Sequence, residues 1–129
     1  MDLSSIGLFK LASQRMDYLS ARHRTIAENI ANADTPGFRA KDLKPFDFQA
    51  TLGQVSQVRT DSGHLSPLRE AAAFREDRRA PVYETAPDGN GVVLEEQMMK
   101  SAEVRQAYDL ATNLFQKNVA MLRQAFTSR

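Results

Sequence analysis

Glu28-Asn29-Ile30-Ala31-Asn32-Ala33-Asp34-Thr35-Pro36-Gly37-Phe38-Arg39-Ala40 is the stretch in which a long amphipathic pattern stops at one defined place. Pro36 disfavours the α region for Thr35 and pushes it to an extended conformation, so a helix arriving from the N-terminal side must end before it. Pro-Gly suits the central pair of a type II turn, with Gly37 supplying the positive φ. Asn32 and Asp34 bond readily to neighbouring backbone groups and can satisfy carbonyls left open at a helix end. The chain therefore reverses here, and Phe38 is released to fold back as an apolar anchor.

Upstream of this turn the small or apolar positions step by alternating threes and fours: Phe9, Ala12, Met16, Leu19, His23, Ile26, Ile30 and Ala33. That spacing is a coiled-coil seam, and the spacing predicts that Gln14, Arg15, Asp17, Arg22, Arg24 and Glu28 face away from it. A second run near the other end does the same through Leu94, Gln97, Ser101, Val104, Tyr108, Ala111, Phe115, Asn118, Leu122 and Ala125. Pro87-Asp88-Gly89-Asn90-Gly91 reads as the turn that opens it. The expected fold is mainly α, in one domain over residues 1–129. An N-terminal helix covers about residues 5–33, a loop region covers 34–91, and a C-terminal helix covers 92–127. At 1.5 Å per residue the helices are roughly 40 and 50 Å long.

The residues between the helices have a different character, with Pro45, Pro67, Pro81 and Pro87 and many small polar side chains. Residues 54–60 alternate weakly, compatible with a short β segment, and residues 68–74 with one or two helical turns. A loop this long is uncommon in a compact monomer unless it is functional or orders on contact with another body.

Both helices carry apolar surface beyond one seam, at Leu11, Tyr18, Met98, Leu114, Val119, Met121 and Phe126. An antiparallel pair covers one stripe on each helix, and small scaffolds of this kind need burial from elsewhere, oligomerisation included. Neighbouring copies or sister subunits are the expected source. The other arrangement has the middle segment folding over these positions to make a monomeric bundle. Polar residues within the seams, namely Gln97, Asn118 and His23, either specify register as a buried Asn does in coiled coils, or lie exposed where the seam is unpaired.

Composition bounds the chemistry. Seventeen basic and sixteen acidic residues nearly cancel, and no block of one sign is long enough for a nucleic-acid or membrane patch. The charged cluster Arg69-Glu70 through Arg75-Glu76-Asp77-Arg78-Arg79 mixes signs and reads as a solvated face. There is no cysteine, so disulfides, thiol catalysis and cysteine-ligated zinc are excluded. No segment approaches the ~20 apolar residues of a lipid-spanning helix, and the start of the chain, Met1-Asp2-Leu3-Ser4-Ser5, lacks the pattern of a cleaved secretory signal.

Support for catalysis is poor. His64 with Asp61 falls short of the ligands a zinc site requires, and the serines lack a nucleophile elbow. There is neither a P-loop nor a dinucleotide fingerprint. Glu95-Glu96 are adjacent on a helix and project differently, which suits interaction with the helix N-terminus rather than paired acid and base chemistry. No enzyme activity, metal or cofactor is expected.

The stretch Asn29-Ile30-Ala31-Asn32 followed by Thr35-Pro36-Gly37-Phe38 resembles the signature of the bacterial flagellar rod and hook axial-protein family. The segment from Asp2-Leu3 to Phe9, Arg39-Ala40-Lys41-Asp42-Leu43 after the turn, Arg59-Thr60-Asp61 with His64-Leu65, and Asp88-Gly89-Asn90 are similar to its short proximal-rod members. The likeness spans most of the chain and is weakest over residues 66–87. Val93 stands where such proteins often carry an acidic residue.

The resemblance implies a structural subunit of the proximal rod in the flagellar basal body, exported through the flagellum's own type III apparatus without a cleaved signal and standing in the periplasmic space. The implied partners are other copies of itself, other rod proteins, the protein joining rod to membrane ring, and the export gate. It implies that Asn29, Asn32, Asp34, Thr35, Pro36, Gly37 and Phe38 form the signature turn, with Asn29 and Asn32 locking the helix end to the loop. Helix packing would fall to Phe9, Met16, Leu19, Ile26 and Ile30, and to Leu94, Val104, Tyr108, Phe115 and Leu122. Phe48 with Leu52 has the form proposed for export-gate docking, a pattern so common by chance that an ordinary short amphipathic contact is the first reading of it. Alternatives are the other short proximal-rod type and, outside the family, a cytoplasmic helical export chaperone or adaptor.

Overall fold

The structure, a computed structural model, describes residues 7–47, 74–77 and 84–127. Two long helices dominate it, α1 (Gly7–Ala31) and α2 (Leu94–Thr127), with β1 (Asp42–Leu43) and β2 (Glu76–Asp77) between them. The strands pair antiparallel, Asp42 opposite Asp77 and Leu43 opposite Glu76. The sequence expectation of a β segment at residues 54–60 falls outside the described residues, and of the helical turns expected over residues 68–74 only Phe74 is described, outside any helix. The observed strands lie where no alternation marked them, since two residues are too few to show a period.

The helices run antiparallel. Asn29, near the end of α1, is bonded to Gln97 near the start of α2, while at the opposite end the rings of Phe9 and Phe115 meet edge to face, 5.2 Å apart. Between these levels Thr112 donates to the Met16 sulfur. The core cluster is Tyr18, Leu19, Ile26, Leu43 and Val104, with Ala21, Phe46 and Ala107 packed against it.

The face α1 buries differs from the expected seam. Phe9, Leu19 and Ile26 are buried as the seam predicts, but Leu11, Tyr18 and Asn29 are buried with them, which shifts the centre of the face by roughly 60° from the three-and-four stepping pattern at 3.6 residues per turn. The cause is a second packing partner. Besides α2, α1 must cover the loop, where Tyr18 lies 5.5 Å from Phe46 and 5.4 Å from Phe74 between ring centres. The rotation leaves His23 and Ile30 exposed, Ile30 at 37%. It also draws Arg15 and Arg22, expected to face away, into contacts: the Arg15 guanidinium sits over both Tyr18 and Phe46.

On α2 the inward stripe through Gln97, Val104, Phe115 and Leu122 faces α1's side, with Gln97 and Val104 buried and Phe115 and Leu122 half-buried. Leu94 and Tyr108, expected in the packing, are exposed among the described residues. Val93 offers no side-chain cap, but its carbonyl accepts the first helical bond, from the Gln97 N–H at 3.1 Å. Among the described residues, no helix is long and apolar enough to cross a membrane.

Candidate assembly site

The end of α1 is closed by groups supplied from far along the chain. Four carbonyls at a helix C-terminus lack intrahelical partners; the Asn32 and Ala33 N–H groups serve those of Glu28, Asn29 and Ile30, and Asn90 gathers the carbonyls of the turn that follows. Its side-chain amide nitrogen donates to the carbonyls of Asn32 (3.0 Å), Ala33 (2.8 Å) and Thr35 (2.7 Å). Its Oδ1 accepts the Val92 N–H at 2.7 Å, and its own N–H donates to the Asp88 carboxylate at 3.0 Å. Asn32 reinforces the same end by donating to the Glu28 carbonyl and accepting the Thr35 hydroxyl.

The turn itself has the shape expected from Pro36-Gly37. The Phe38 N–H donates to the Thr35 carbonyl across it, and Gly37 has φ of 71°. Gly89, at φ of 82°, comes so near that a Cβ on it would stand 3.5 Å from the Gly37 Cα. Two backbone bonds tie the loops together: Gly37 N–H to the Asp88 carbonyl and Gly91 N–H to the Phe38 carbonyl. Of the other signature residues, Phe38 is half-buried and Asp34, Thr35 and Pro36 are exposed.

One helical turn inward lies a buried amide pair. Asn29, 0% exposed, clasps the backbone of Lys41 with both ends of its amide, donating to the carbonyl at 2.7 Å and accepting the N–H at 2.9 Å. The same Nδ2 donates to Gln97 Oε1 at 2.9 Å. Gln97 is 1% exposed, and its own Nε2 finds no partner among the described residues. Asn29 thus joins α1, the strand-bearing loop and α2 at one point.

Beside it lies an ionic node. Arg22 grips Asp42 with two bonds, at 2.9 and 3.0 Å, and Lys100 approaches the same carboxylate at 3.5 Å while bonding Glu96 at 2.7 Å. Burial by itself favours the neutral form of Asp42, but the Arg22 hydrogen bonds, the Leu43 N–H and the Lys100 charge outweigh it and hold the carboxyl below its ordinary range. Arg22 is raised, chiefly by its bonds to Asp42. Burial opposes the charge of Lys100, yet Glu96 and Asp42 raise its pKa. Burial also pushes the Tyr18 hydroxyl up. Sequence reading missed the roles of Arg22, Asp42 and Asn90. Only Asp88-Gly89-Asn90 carried a signal, as a turn, and nothing local announces that its amide reaches 55 residues back.

The outer side of α2 is apolar and, among the described residues, uncovered. Met99, Leu110, Leu114 and Met121 are exposed, Leu110 at 60%. At 100° per residue they fall within roughly 60° of arc, centred about 120° around the helix from the inward stripe. Past the Phe115 contact, residues 116–127 extend α2 by roughly 18 Å, ending near the exposed Phe126. A stripe of this kind on a monomer marks a contact surface. Phe48 and Leu52 lie outside the described residues.

Residues 10–39, which contain α1 from its second turn and the whole signature turn, match the family model described as flagella basal body rod protein. The chain is 42% identical to the flagellar basal body rod protein FlgB of Agrobacterium fabrum over 87% of each chain. It is 31% identical to that of Cereibacter sphaeroides over 88% of each, and 28% identical to that of Borrelia hermsii over 81% of this chain and 84% of that one.

Proposed function

Because this chain belongs to the FlgB family of flagellar basal body rod proteins, a family of structural proteins and not of enzymes, we propose that it builds the proximal rod by polymerising through its two terminal helices. The observation that carries the proposal is the outer stripe of α2. Among the described residues, this helix of 34 residues buries only Gln97 and Val104, so it is stabilised mainly by what lies outside it. Copies of the same chain and the other rod proteins cover Met99, Leu110, Leu114 and Met121. Contacts between unlike faces propagate as a helix when the rotation does not close.

In this reading the chain acts as a single rod-type domain linking the membrane ring and export gate to the rest of the drive shaft in flagellum-dependent motility. It meets the protein that joins rod to ring, stands in the periplasmic space, and travels there through the flagellar export gate without a cleaved signal. Phe48 and Leu52 contact the gate. The clasp around Asn90 and Asn29 sets how the two helices are offset, and so how the outer stripe is presented to neighbours.

Basal bodies imaged from a strain lacking this chain should show rings without a rod. Complementation with a Leu110→Glu, Leu114→Glu double variant should leave the rings bare too, while the purified variant keeps the helical circular dichroism of the parent. Normal rods in either strain rule the proposal out.

A further inference from the structure

The chain has five asparagines, and only Asn90 is followed by glycine. At the other four the next residue is Ile30, Ala33, Leu114 or Val119, whose side chain crowds the backbone nitrogen. At Gly91 there is no side chain to obstruct it. In a freely moving chain the Gly91 nitrogen, its proton removed by hydroxide, attacks Cγ of Asn90. The bond from Cγ to the side-chain nitrogen breaks, and ammonia leaves with a proton from water. The resulting five-membered imide is opened by water at either carbonyl, giving aspartate or isoaspartate at position 90. No electrons are exchanged, and water is the only co-reactant.

The folded chain blocks every element of that step. Gly91 N–H is engaged by the Phe38 carbonyl at 2.9 Å, so its proton is held. Four hydrogen bonds fix the Asn90 amide, three from its nitrogen to Asn32, Ala33 and Thr35 and one to its oxygen from Val92. Asn90 is 4% exposed and Gly91 is buried, which keeps hydroxide out.

We infer that Asn90-Gly91 is a modification site gated by the fold: its deamidation is suppressed while the clasp is closed, and once it has occurred the clasp cannot close again. The product replaces the amide's two donors with a carboxylate oxygen facing three carbonyl oxygens, a buried charge with no donor to meet it. Isoaspartate adds a backbone carbon and displaces the Gly91 N–H from Phe38 as well. A chain that stays open therefore ages irreversibly at the residue it needs to fold, and a chain that folds promptly is preserved. This holds whether or not the chain assembles into a rod.

The test is peptide mapping by mass spectrometry of the full chain incubated in mildly alkaline buffer, with and without guanidinium chloride. In denaturant Asn90 should convert ahead of Asn29, Asn32, Asn113 and Asn118. In native buffer conversion at Asn90 should be roughly a hundredfold slower, because reaction then waits on local opening. Equal rates in the two buffers, or an inert Asn90 in denaturant, overturn the inference. Asn90→Gln should abolish the fast conversion in denaturant, and persistence of that conversion would place it elsewhere. Finally, partly aged chains diluted out of denaturant should divide, with the protease-resistant fraction retaining Asn90 and the sensitive fraction carrying the products. Products spread evenly between the fractions would show that the clasp tolerates them.

Discussion

The two ends of the helix pair are held in opposite ways. At the clasp end, directional hydrogen bonds from Asn29, Asn32 and Asn90 leave the backbone one arrangement. At the other end, Phe9 and Phe115 make an edge-to-face ring contact, and α2 runs on past it towards the exposed Met121 and Phe126. Directional bonds fix a geometry and cannot be shared with a neighbour. Apolar surface fixes little by itself and can be shared with many. The chain thus separates what sets its own shape from what it offers outward.

The sharpest way to break that contrast is Asn29→Leu. It strands the Lys41 N–H and carbonyl and Gln97 Oε1 in a buried place, and should cost about 3 kcal/mol or more, read by urea denaturation. An equivalent change on the outward side, Leu114→Ala, should leave the stability of the isolated chain within ~0.5 kcal/mol. Its apolar counterpart in the core, Ile26→Ala, should cost about 2–4 kcal/mol. If Leu114→Ala proved as damaging as Ile26→Ala in the monomer, the outer stripe would be part of the chain's own core.

Asp42→Asn comes next, at about 1–3 kcal/mol near neutral pH, since Arg22 and Lys100 lose their shared anion. The native carboxyl titrates below its unfolded counterpart, so the unfolded chain binds the proton more readily. The Asp42 contribution is therefore complete above the ordinary value of 3.8 and is lost as pH falls through the depressed native value. Lys100, raised above 10.5, has the reverse sign: its contribution is complete below that pH and is lost as pH rises through the native value. Denaturation midpoints across pH should fall at both extremes in the parent, and the acid limb should flatten in Asp42→Asn.

Gly37→Ala forces a side chain into left-handed backbone and should cost about 1–2 kcal/mol. The smallest effect belongs to Lys41→Ala. Its side chain meets Glu28 at 3.3 Å and Glu76 at 3.9 Å, but all three are at least 40% exposed, and pairs of that kind contribute within ~0.5 kcal/mol. A thermal shift larger than that of Gly37→Ala would mean the Lys41 side chain, and not only its backbone, belongs to the clasp.

Much of this architecture was readable in advance. Pro36-Gly37 states where α1 must stop, and the spacing from Leu94 to Leu122 states that a long helix follows. The face α1 presents was not readable, because it depends on Tyr18 meeting Phe46 and Phe74, a contact between segments that no local period encodes. Arg22 with Asp42 is the same case: each looks like an ordinary surface charge until the turn at Pro36 brings them together. Asn90 carried the signal of a turn residue but not of its partners, since an amide's acceptors are chosen by the tertiary fold.

The near contact of Gly37 with Gly89 means that the polypeptide leaves the helix pair and returns to it at almost the same point. What runs between is a closed excursion that packs on α1 through Leu43, Phe46 and Phe74, and that can grow elsewhere without moving its two ends. Lengthening such an excursion is inexpensive, roughly 0.6 kcal/mol for each doubling. The gate formed by those two glycines would therefore let a decoration of almost any size be mounted on an unchanged shaft.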